Sequence, residues 1–111
     1  MNAVIKSSDQ ISDIFRSGAR FNGKTLSIIT KEHDETQRDP SGRVAFIAGK
    51  KLGCAVVRNR SKRVLRAVAR EVGLPVAGYD VVLVANPRTR YAAHGEVVGN
   101  LEGLLRRAHV R

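Results

Sequence analysis

The chain has 111 residues, with 20 Lys and Arg against 10 Asp and Glu, a net charge of +10. Its length suits one domain over residues 1–111, and 42% hydrophobic content excludes a chain disordered by composition. No apolar run approaches the roughly 18 residues of a membrane span, and the single cysteine excludes an internal disulfide or a disulfide framework.

Ser7 to Gln10 reads as a helix start, with Ser7 as the cap and Gln10 at the capping-box spacing. Ile11, Ile14 and Phe15 then recur at helical spacing, and Gly18 supplies the stop. From Phe21 to Thr30 the pattern is extended, and Val44 to Ala48 is a second strand. The intervening polar stretch ends in Pro40-Ser41-Gly42 turn chemistry. Leu52 to Val57 suits either a short third strand or the entry to a helix.

Asn59 to Val72 gives the strongest helical pattern. Val57, Ser61, Val64, Leu65, Val68 and Val72 fall within about 100° on a helical wheel. Asn59 is placed as the cap, and Gly73-Leu74-Pro75 ends the helix. Tyr79 to Ala85 is a continuous apolar strand, expected to be central and covered on both faces. Val97 to Ala108 is a last helix, weakened by Gly95, Gly99 and Gly103. This order predicts an α+β sandwich with helices on one side of a mixed sheet.

The charge is concentrated. Lys50, Lys51, Arg58, Arg60, Lys62, Arg63, Arg66 and Arg70 lie in one stretch without Asp or Glu. Arg58/Lys62, Lys62/Arg66 and Arg66/Arg70 are like charges four apart, which repel on a helix. A solvated structural face gains nothing from this pattern, whereas a polyanion neutralises it and releases counterions. Nucleic acid is therefore the expected partner. A membrane surface is disfavoured by the absence of Trp and by an apolar face of Val and Leu.

The run Lys50-Lys51-Leu52-Gly53-Cys54-Ala55-Val56-Val57-Arg58-Asn59-Arg60-Ser61-Lys62-Arg63-Val64-Leu65-Arg66 resembles the signature of the bacterial ribonuclease P protein component. The resemblance extends from about Ile5 to Ala108. It implies a single α-β-β-β-α-β-α domain around a four-stranded mixed sheet, with a left-handed crossover presenting the basic helix. Strand twist alone favours the opposite hand. It also implies a subunit of a ribonucleoprotein that removes the 5′ leader of precursor tRNA, with the RNA as catalyst and Mg²⁺ bound mainly by that RNA. The implied partners are ribonuclease P RNA and precursor tRNA, in the cytoplasm.

Carried over by position, Arg58, Asn59, Arg60, Lys62, Arg63 and Arg66 match the RNA-contacting motif, and Lys50 and Lys51 its lead-in. Arg70 extends the same basic face. Phe15 falls where the family lines a leader cleft between the first helix and the sheet. Ile11 and Ile29 fall where relatives often carry aromatics, and Phe46 points either to that cleft or to the core. Cys54 stands where the family commonly has Asn.

No acid/base, nucleophilic or metal-binding constellation is visible. His33, His94 and His109 are read as incidental surface residues, and Cys54 as a small buried one. No catalytic residue, protein-bound metal or cofactor is expected. A structural RNA-binding module of ribosomal-protein type, and a non-specific DNA-binding protein, fit the composition but not the Arg-Asn-Arg context.

Overall fold

The computed structural model describes residues 8–33 and 42–110. The proposed Ser7 cap and most of the polar segment before Gly42 lie outside them. Helix α1 spans Ser8–Ser17, strand β1 Ala19–Asn22, β2 Leu26–Glu32 and β3 Arg43–Ile47. A short 3-10 turn, Lys50–Leu52, leads to helix α2, Ala55–Val72, followed by strand β4, Tyr79–Ala85, and helix α3, His94–Arg107. The sheet order is β1-β2-β4-β3, antiparallel except for the parallel β3/β4 pair. That parallel pair is joined through α2.

The three strands before α2 arise differently from the sequence expectation. The segment 21–30 is not one strand but parts of a hairpin, turned at Gly23–Thr25. Gly23 N–H donates to the Leu26 carbonyl at 2.9 Å. A Cβ at Gly23 would lie 2.8 Å from that carbonyl and 2.7 Å from the Asn100 amide, so the turn requires glycine. Asn100, on α3, accepts from the Thr25 N–H and hydroxyl, both at 2.8 Å. The partner that fixes the turn is thus 75 residues away, beyond any local reading. Leu52 to Val57 supplies no strand; it completes the 3-10 turn and enters α2.

Strand alternation divides the interior into two layers. Ile28, Val81, Leu83 and Val44 face α2 and α3, where Leu65, Val68, Val97, Leu101, Leu104 and Leu105 complete the main core. Ile29, Val82 and Ala45 face the other way and are covered by Ile14 of α1. The helices therefore lie on both faces of the sheet, not on one. From α1, Ile14 and Ile11 pack on the second face, while Phe15 stays exposed. β4 is central, as its uninterrupted apolar run requires: Val81, Val82 and Leu83 are all fully buried. Each such side chain contributes on the order of 1.5–3 kcal/mol.

At the end of the sheet, Asp80 is buried and held by three contacts. Arg43 donates from Nε to Oδ1 at 3.0 Å and from Nη2 to Oδ2 at 2.8 Å. His33 Nε2 lies 2.7 Å from Oδ1. Burial alone would raise the carboxyl pKa; hydrogen bonds from Arg43 and His33, and their charges, outweigh it and hold Asp80 below the ordinary carboxylate value. His33 is thus a buried residue that joins the end of β2 to β4, not an incidental surface one.

Candidate nucleic-acid interface

Helix α2 starts five residues earlier than the Asn59 cap implies. Gly53 has φ 129°, a conformation open to glycine, and Cys54 is extended before the first helical turn. Arg58 N–H already bonds the Cys54 carbonyl at 3.0 Å. Cys54 occupies the cap position and is exposed rather than buried. No side-chain cap bond forms, yet the N–H groups of Val57 and Val56 draw its thiol below the ordinary range. Gly73, in the left-handed region at φ 82°, closes the helix, with Leu74 N–H reaching back to the Ala69 carbonyl at 2.9 Å.

The inward face of α2 is Ser61, Leu65, Val68, Ala69 and Val72. Its outer surface carries Asn59, Arg60, Arg63, Arg66 and Arg70, all exposed, while Arg58 and Lys62 are half-buried. Among the described residues, no ion pair involves any of the six cations of this helix. Glu71, its one carboxylate, pairs instead with His94 of α3. Arg58 differs from its neighbours: its Nε donates to the Ala48 carbonyl at 3.1 Å, which ties α2 to the end of β3. Lys50 and Lys51 are exposed on the 3-10 turn that leads into this surface. Val56, 68% exposed, joins Asn59, Arg60 and Arg63 around a shallow cavity of about 260 Å³.

The loop between β4 and α3 adds cations that the sequence reading missed. Thr89 is fully buried; its hydroxyl donates to the Thr25 carbonyl at 2.6 Å and accepts from Asn86 N–H at 2.9 Å. Asn86 accepts from Arg88 N–H at 2.9 Å and donates to the Lys24 carbonyl at 3.1 Å. This frame presents Arg88, Arg90 and Tyr91, the last 74% exposed with the Arg90 guanidinium 4.4 Å from its ring centre. Arg88 and Tyr91 border a recess with Lys24, Thr25 and Glu96, so the loop lies beside the β1–β2 turn. The local signal was Arg88-Thr89-Arg90-Tyr91 itself, cations interleaved with an aromatic.

The four cleft candidates separate. Ile11 is half-buried and Phe15 is 40% exposed on α1. Ile29 is only 1% exposed; it forms the floor under Ile14 and offers nothing to a ligand. Phe46 is in register with Leu83 and Ile28 and faces the opposite side of the sheet, toward α2. The surface beside Ile11 is instead continued by Ile47 and Val84, which the face ambiguity of the strands had concealed. The other flank of α1 is polar: Asp9, Gln10, Asp13, Lys31, Arg43 and Asp80 border a recess of about 300 Å³. Lys31 pairs there with Asp13 at 2.6 Å and holds that carboxyl below its ordinary value.

Among the described residues, no group of His, Cys, Asp and Glu could hold a metal ion, and no helix is long and apolar enough to cross a membrane. The arrangement can bind phosphates along α2 and bases on exposed aromatic faces.

The sequence model of the family described as Ribonuclease P matches residues 1–109. The ribonuclease P protein component of Syntrophomonas wolfei is 42% identical over 84 residues, covering 75% of this chain and 67% of that protein. The one from Oceanobacillus iheyensis is 33% identical over 102 residues, covering 91% of this chain and 82% of its own. In fold, the chain superposes on the RNase P protein of Staphylococcus aureus with a TM-score of 0.79, at 24% identity and over 99% and 98% of the two chains. The match over nearly the whole sequence, with the Arg-Asn-Arg run on the open face of α2, places the chain in the ribonuclease P protein family.

Proposed function

We propose that this chain acts as the protein subunit of ribonuclease P, binding the catalytic RNA and the 5′ leader of precursor tRNA in the cytoplasm. The observation that carries the reading is the α2 surface: six cations, none paired with a carboxylate among the described residues, on a chain of this family. Arg60, Lys62, Arg63, Arg66 and Arg70 contact phosphates of the RNA, with Lys50 and Lys51 beside them. Arg58 and Asn59 complete the motif, Arg58 through the guanidinium nitrogens that its bond to Ala48 leaves open. The leader lies against Phe15, Ile11, Ile47 and Val84. Ile29 acts beneath that surface and Phe46 on the other side of the sheet.

The protein's contribution is positional and electrostatic. Fixed guanidiniums neutralise phosphates where the RNA folds closely, which favours Mg²⁺ binding by the RNA. No side chain of the protein breaks a bond in this scheme. Binding of precursor and mature tRNA by the reconstituted ribonucleoprotein tests it. Tighter binding of the precursor, lost in Phe15→Ala, is expected. Equal affinity for the two RNAs contradicts the leader assignment and favours a module that only organises RNA.

A further inference from the structure

On the face of the sheet away from α1, a groove of about 250 Å³ opens between β3 and the C-terminal half of α2. Its walls are Val44, Phe46, Ala69, Leu74 and Pro75, and its two polar lining residues are Arg66 and Arg70. Among the described residues no carboxylate lines it and neither arginine forms an ion pair. The Arg66 guanidinium lies 5.7 Å from the centre of the Phe46 ring, which is only half-buried. Among the described residues β3 is an edge strand, and none of them adds a further strand beside the groove.

Charge and shape select the occupant. The lining is apolar with one aromatic ring, apart from the two arginines. That combination fits a planar heterocycle attached to a phosphodiester. Single-stranded and bulged nucleotides are recognised in this way, with the base on an aromatic ring and the backbone on guanidiniums. Arg66 and Arg70 are also one helical turn apart and continue the line of Asn59 and Arg63, so an RNA lying on that line passes the groove.

We propose that this groove receives one unstacked nucleobase of the RNA bound by α2, against Phe46, Leu74 and Pro75, while Arg66 and Arg70 hold the adjoining phosphates. The inference rests on the RNA-binding reading above and adds a base-contacting element to a surface otherwise read as contacting phosphates.

The chain has no tryptophan, so Phe46→Trp introduces a single reporter. Titration of the full chain with ribonuclease P RNA is expected to quench its emission as the complex forms. Phe46→Leu, which keeps an apolar floor but removes the ring, is expected to weaken binding about tenfold. Undiminished RNA binding with unchanged tryptophan emission overturns the base pocket and leaves the phosphate surface standing. Failure of the unsubstituted chain to bind the RNA overturns both. Chemical probing of base edges in the complex with the unsubstituted chain gives a second reading that does not depend on the tryptophan variant. One nucleotide is expected to be protected there and exposed with Arg70→Ala. A protection pattern identical with the two chains contradicts the proposal.

Discussion

Arg58 and Ala48 form a bond between the basic helix and the sheet: the guanidinium Nε donates to the Ala48 carbonyl at 3.1 Å. One member of the Arg-Asn-Arg run is therefore also a structural strut. Arg58→Ala should destabilise the fold by about 1 kcal/mol, through loss of the hydrogen bond to a buried carbonyl. It should weaken RNA binding as well. Arg63→Ala, on the exposed side of α2, should weaken binding with the urea midpoint unchanged. Equal urea midpoints for the two variants would remove the strut.

The phosphate role of the α2 surface is read from salt dependence. Arg60→Ala and Arg63→Ala should each reduce the slope of log affinity against log salt by up to about one unit. Filter binding over a salt series checks this. Unchanged slopes in both variants would show that these side chains do not meet phosphates.

Asp80 links pH to stability. Its carboxyl is held below the ordinary value of 3.8 in the folded chain, so the unfolded state binds a proton first as pH falls. The stabilisation is complete above the unfolded value and is lost as pH falls through the lower folded one. At pH 7, Asp80→Asn should cost about 3 kcal/mol, because Arg43 and His33 lose their buried anion. The difference between the variant and the unsubstituted chain should shrink on acidification below pH 3.8. Urea unfolding at several pH values measures it; a difference independent of pH would refute the linkage.

Gly99 offers the opposite test. A Cβ built there meets nothing within 4 Å, and the position is exposed in the middle of α3. Gly99→Ala should stabilise the chain by about 0.5–1 kcal/mol, seen as a raised thermal midpoint. A lowered midpoint would indicate that α3 is not helical at this position.

The elements were legible wherever a local pattern decided them. The alternation of α2 around Leu65 and Val68, the buried run Val81 to Leu83 and the stop at Gly73 all follow from spacing and residue type. Most of what escaped was decided at long range. The β1–β2 turn depends on Asn100 and the burial of His33 on Asp80, whereas the α2 start was missed at short range, through the positive φ of Gly53. The basic motif was legible because it is contiguous. The Phe15 surface was legible only in part, because Ile47 and Val84 join it through strand register and Phe46 leaves it for the same reason. The Arg88 to Tyr91 loop carried a signal of its own, but its frame depends on the bond from Thr89 to Thr25, 64 residues away.

The most direct test of the central claim is cleavage of labelled precursor tRNA at low Mg²⁺ by ribonuclease P RNA from the same source, with and without this protein. The protein should restore cleavage at the leader junction, and the double variant Arg60→Ala/Arg63→Ala should restore much less at the same concentration. Binding of the RNA without any rescue of cleavage would contradict the account.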